Sequence, residues 1–61
     1  MSRWQFDEPV ETGDVVYFWH KGKEVAGDVI SELDDDFLEV DTLEFGTLFI
    51  PLNAIYRLEK E

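Results

Sequence analysis

The side chains best placed to do chemistry are four aromatics, Tyr17, Trp19, Phe37 and Tyr56, set among many carboxylates. Lining one groove with Asp or Glu at its rim, they would hold a cationic group by cation–π attraction and charge. The plainer alternative is that they bury one another in a core or a subunit interface. Between the two lies an exposed aromatic patch that binds protein, which contiguous exposed apolar surface generally signals.

The remaining candidates point away from catalysis. Asp34, Asp35 and Asp36 form an acidic loop that could attract a hard cation, since Ca²⁺ and Mg²⁺ need several carboxylate oxygens. Three consecutive acids in an extended segment diverge, however, and no Asp-x-Asp-x-Asp-Gly spacing is present, so a solvated turn is the better reading. His20 has neither cysteine nor a second histidine with which to build a transition-metal site. No Ser or Cys nucleophile sits in a recognisable setting, and paired carboxylates need a cleft to separate their pKa values. A non-catalytic chain is expected, with no cofactor and no metal.

Charge narrows the partners. Fifteen acidic residues against five basic ones give a formal net charge of −10. Phosphate backbones demand Lys and Arg, so direct nucleic-acid binding is opposed. The local basic cluster, His20, Lys21 and Lys23, reads as a solvated turn. The acidity fits steering of a basic protein partner, mimicry of nucleic acid, or adaptation to a salty host cytoplasm. No apolar run approaches the roughly 20 residues that span a bilayer. Met1 to Val10 carries Arg3 and two acids but no apolar stretch, so it does not read as a signal peptide. With no cysteine, a cytoplasmic location is expected.

These side chains must be positioned by a chain of 61 residues, 44% hydrophobic and 15% aromatic, enough for one small domain. Turn signals recur about every ten residues, at Gly13-Asp14, Gly22-Lys23, Asp34 to Asp36, Gly46 and Pro51. Val15 to His20 is β-branched or aromatic, and Lys21-Gly22-Lys23 suits a tight hairpin. Glu24 to Leu33 is the longest expected strand, with Val25, Gly27, Val29 and Leu33 on one parity. A glycine at position 27 predicts a bulge or bend. Phe37 to Thr42 and Thr47 to Ile50 follow, then a 3₁₀ turn at Leu52 to Ala54 and a closing strand from Ile55 to Leu58. The expectation is an all-β fold, an antiparallel small barrel of about five strands: residues 1–12 form an N-terminal arm, 13–58 the barrel and 59–61 a tail. Its expected core is Val16, Phe18, Val25, Val29, Leu33, Leu38, Val40, Ile50, Ile55 and Leu58.

Gly13-Asp14-Val15-Val16-Tyr17-Phe18, followed by Val25-Ala26-Gly27-Asp28-Val29, resembles SH3-like barrels of the KOW and tudor type and small bacterial barrels. Gly27, Val29, the acidic turn, Leu38 and Val40 resemble the first motif of Sm-like proteins, and Ile50 to Leu58, with Asn53 and Ile55, resembles the second. Pro51-Leu52 stands where RNA-binding Sm-like proteins carry Arg-Gly or Lys-His, and the loops are acidic where RNA-binding KOW domains are basic. The resemblance therefore implies fold and strand order, and no functional residue. The combined expectation is a protein-interaction module that binds a basic or apolar partner. The alternatives are a self-assembling Sm-like ring subunit, or a nucleic-acid-associated barrel within a larger complex.

Overall fold

Alternation of apolar and polar side chains becomes five antiparallel strands in a computed structural model that describes residues 6, 8–32 and 36–60. They are β1 (Val15–His20), β2 (Lys23–Glu32), β3 (Phe37–Thr42), β4 (Gly46–Pro51) and β5 (Ile55–Glu59), with one 3₁₀ turn at Leu52–Ala54. All lie in a single sheet of order β4-β3-β2-β1-β5. Leu33, Asp34 and Asp35, expected as a core residue and as most of the acidic loop, lie outside the described residues. Asp36 is half-buried, and its carbonyl accepts the Leu52 N–H at 2.8 Å, tying the β2–β3 connection to the 3₁₀ turn.

The turns follow from their residues. Lys21 and Gly22 both take positive φ, 52° and 78°, giving the mirror-image two-residue turn whose twist matches the flanking strands. That turn fixes His20 opposite Lys23 and Trp19 opposite Glu24. Between β3 and β4, the buried Thr42 hydroxyl donates to the Gly46 carbonyl at 2.8 Å and accepts the Phe45 N–H at 3.0 Å.

Strands β4 and β5 are opposite edges of the sheet, yet only the 3₁₀ turn joins them. Flat, five strands would separate those edges by about 19 Å. Four Cα steps, from Pro51 to Ile55, reach at most about 14 Å even when extended. The sheet must therefore roll, and inside the roll lie Val16, Phe18, Val25, Val29, Leu38, Val40, Ile50 and Ile55. Val10 and Leu52, absent from the expected core, are buried with them, while Leu58 is only partly buried against it.

Gly27 is not at a bulge, one of the two roles, bulge or bend, that its position suggested. It pairs regularly with Val16, and its role is close approach: an added Cβ would lie 3.1 Å from the Val40 side chain and 3.3 Å from that of Phe18. The irregularity in β2 falls at Ile30, skipped between the pairs Val29–Val40 and Ser31–Glu39.

The two ends of the described chain meet at Asp14, only 3% exposed. Its carboxylate accepts the Glu11 N–H at 2.8 Å and the Lys60 ammonium at 2.6 Å. Lys60 also donates to the Pro9 carbonyl at 2.7 Å and to Glu11 at 3.3 Å, holding the end of β5 against the approach to β1. The hydrogen bond to Asp14, supported by Glu11 and opposed by desolvation, raises the Lys60 pKa above its ordinary value.

Candidate functional site

Because β1 buries Val16 and Phe18, it turns Val15, Tyr17 and Trp19 to the outer face of the sheet. On β2, Glu24, Ala26 and Asp28 stand opposite Trp19, Tyr17 and Val15. On β5, Arg57 stands opposite Tyr17 and Glu59 opposite Val15. The ladder then jumps from Tyr17–Arg57 to Phe18–Ile55, so Tyr56 is an extra, unmatched residue. This bulge lets Ile55 enter the core while Tyr56 and Arg57 both remain outside, the kind of re-aiming that bulges perform.

Two tyrosine–glutamate pairs result. The Tyr17 hydroxyl donates to Glu59 Oε1 at 3.0 Å, and Arg57 completes the group, its guanidinium 4.9 Å from the Tyr17 ring centroid and 3.2 Å from Glu59 Oε2. The hydrogen bond to Glu59, assisted by desolvation and that carboxylate's charge, raises the Tyr17 pKa, while Arg57 pulls it down. In the second pair the Tyr56 hydroxyl donates to Glu24 Oε2, and the Tyr56 ring stacks on Trp19 with centroids 6.2 Å apart and planes 27° apart. Trp19 is 64% exposed and Tyr56 40%.

The structure thus brings Tyr17, Trp19 and Tyr56 onto neighbouring strands, but on an open face rather than in a groove. Phe37 is not with them. It lies on β3 opposite Pro51 and diagonal to the exposed Phe49, with β2 intervening, about 10 Å from β1. Of the expected acidic loop only Asp36 is described. The acids that face the aromatics are instead Glu24 and Glu59, with Asp28 and Asp41 directly opposite each other on β2 and β3. Like charges in that position repel, which leaves this part of the face receptive to positive charge.

Sequence reasoning missed Glu24, Arg57 and Glu59. Glu24 had a usable signal: a two-residue turn at Lys21-Gly22 places it opposite Trp19. Arg57 and Glu59 had none, since their register depends on the bulge at Tyr56.

The basic cluster is engaged locally. Phe45 meets the His20 ring edge-on at 4.7 Å and has the Lys21 ammonium 5.9 Å from its centroid, while Lys23 pairs with Glu44 at 3.7 Å. Among the described residues, no group of three or more His, Asp or Glu side chains is arranged to hold a metal ion. An open groove of about 230 Å³ is lined by Phe6, Glu8, Leu58 and Lys60, away from the aromatic face. Among the described residues no helix is long and apolar enough to cross a membrane. No family model, no curated protein and no solved structure matches this chain.

Proposed function

We propose that this chain is a non-catalytic protein-interaction module, a small SH3-like or Sm-like barrel whose outer β5–β1–β2 face binds a basic partner. The rolled sheet, its order β4-β3-β2-β1-β5 and the 3₁₀ turn ahead of the last strand support the barrel architecture. One observation carries the function: Trp19, a large aromatic, stands exposed and stacked on Tyr56 in a face bordered by Glu24, Asp28 and Glu59. Exposed aromatics supply contact area at low entropic cost, and a net charge of −10 draws basic surfaces at low salt. The test is fluorescence anisotropy of a labelled Lys/Arg-rich peptide at low and high salt. Binding that weakens with salt and falls with Trp19→Ala, in a variant that keeps its fold, supports the module; no binding at low salt overturns it.

A second reading, self-assembly into a ring, is favoured by the two edge strands. β4 and β5 are the outermost strands of the described sheet, and Phe49 on β4 is 63% exposed. Light scattering after size exclusion separates the two. A mass of about five or more subunits supports the ring, and a monomer or dimer removes it.

A further inference from the structure

The two tyrosine–glutamate pairs on the outer face are chemically alike, and one of them shows what the other lacks. At Tyr17 and Glu59 the phenol donates to the carboxylate, and the Arg57 guanidinium lies over the ring while pairing with the same carboxylate. At Tyr56 and Glu24 the phenol again donates to the carboxylate, with the Trp19 indole stacked on the ring, yet among the described residues no cation pairs with Glu24. The chain's other described bases are committed: Lys23 to Glu44, Lys60 to Asp14, and Lys21 beside Phe45.

We propose that Trp19, Tyr56 and Glu24 form a slot for an arginine side chain of the protein partner, which repeats in trans the arrangement that Arg57 makes in cis. This rests on the interaction-module reading and gives that surface its ligand. Arginine rather than lysine is the occupant, for a planar guanidinium stacks on an aromatic face while its edge donates to a carboxylate, whereas an ammonium is a strongly hydrated point charge. The molecule carries its own illustration. Among the described residues, the Arg57 guanidinium sits 4.9 Å from a ring centroid and pairs with the neighbouring carboxylate, while the Lys21 ammonium is 5.9 Å from the Phe45 centroid. The slot is ready-made, since the bulge fixes Tyr56 outward and the tight turn fixes Glu24 opposite Trp19. A net charge of −10 brings a basic partner to it.

The test uses the full chain and three fluorescein-labelled peptides at low salt, alternating glycine with arginine, lysine or citrulline. The arginine peptide is expected to bind about fivefold tighter than the lysine peptide, and the uncharged citrulline peptide to lose binding. Trp19→Ala and Glu24→Gln should each weaken the arginine peptide about fivefold, with Glu39→Gln as a charge-matched control changing it less than about twofold. Glu24→Gln removes no ring, so it tests the slot even where Trp19→Ala disturbs the fold. Equal arginine and lysine affinities, with Glu24→Gln no worse than Glu39→Gln, overturn the slot and leave the basic-partner reading standing. Absence of binding by either cationic peptide overturns both. Arg3 lies outside the described residues, so the titration is repeated on Arg3→Gln. A threefold or greater tightening there assigns the slot to the chain's own N-terminal segment and overturns the partner proposal.

Discussion

Among the described residues, the Tyr17 region holds a cation that the Tyr56 region lacks, and the Tyr56 region holds a second ring. Both occupy the outer face and both use a phenol to orient a glutamate, which comes from the adjacent strand β5 at Tyr17 and from β2, across β1, at Tyr56. At Tyr17 the strand that supplies Glu59 also supplies Arg57, two residues earlier and on the same face, so the group is internally neutralised and contributes to the sheet. At Tyr56 the glutamate comes from β2, whose outer neighbours Ala26 and Asp28 bring no positive charge, and the added ring is Trp19. Under the proposed slot, an aromatic–carboxylate pair is a structural joint where the chain provides the cation and a recognition surface where a partner must.

Loss of the core beneath β1 should destroy both regions together. Phe18 is fully buried beneath the strand that carries Tyr17 and Trp19, and Phe18→Ala should cost about 3–5 kcal/mol in chemical denaturation. In a domain this small that is most of the stability. A loss below about 1 kcal/mol would show that β1 is held by something other than its inner face. Asp14→Ala should come next, at about 1–3 kcal/mol, because it strands the Glu11 N–H and releases Lys60. It also divides the two regions: Lys60 adjoins the end of β5, so amide exchange should quicken at Arg57 and Glu59 more than at Tyr56. Uniform quickening along β5 would show that Lys60 steadies Tyr56 as much as Arg57 and Glu59.

Much of this fold was legible because the two-residue turn between β1 and β2 and the alternation within the strands carry their register in the sequence. The limits of β1 and β3 and the 3₁₀ turn follow from β-branched runs, turn glycines and Pro51. The candidate site was less legible. Periodicity cannot reveal the extra residue at Tyr56, and without it Arg57 and Glu59 have no assigned neighbours. Phe37 has the same composition signal as Trp19, but only the strand order shows that β2 stands between them. Asp14 reads locally as a turn residue; its burial depends on Lys60, 46 positions away. Residues paired across such distances are fixed by the rolled sheet and not by any local pattern.

Replacing Arg57 makes the Tyr17 region resemble the Tyr56 region. Arg57→Gln removes an exposed cation, so its effect on stability should be under about 1 kcal/mol. It turns the Tyr17 region into a second ring and carboxylate without a partner base. A glycine–arginine peptide should then bind with two sites where the parent chain has one, and its amide shifts should spread from Glu24 and Trp19 to Tyr17 and Glu59. Unchanged stoichiometry would mean that the Trp19 indole, rather than the tyrosine–glutamate pair, makes the slot.

The smallest effect is read by titration. With two tyrosines in the chain, Tyr56→Phe leaves Tyr17 as the only source of tyrosinate absorbance. Its midpoint should lie above the ordinary value of 10.0, because Glu59 accepts from the phenol and favours its protonated form. Adding Arg57→Gln should push the midpoint higher, since the guanidinium favours the phenolate, and Glu59→Gln should bring it down. A folded-state pKa that is raised means that the folded chain holds the proton more tightly. The associated stability is therefore whole below pH about 10 and is lost as pH rises through the folded value. Lys60, also raised, adds a loss of the same sign in alkaline solution, so Lys60→Met separates the two contributions. A Tyr17 midpoint at or below 10.0 would remove the phenol–carboxylate bond from the occupied region, and with it the template from which the arginine slot is argued.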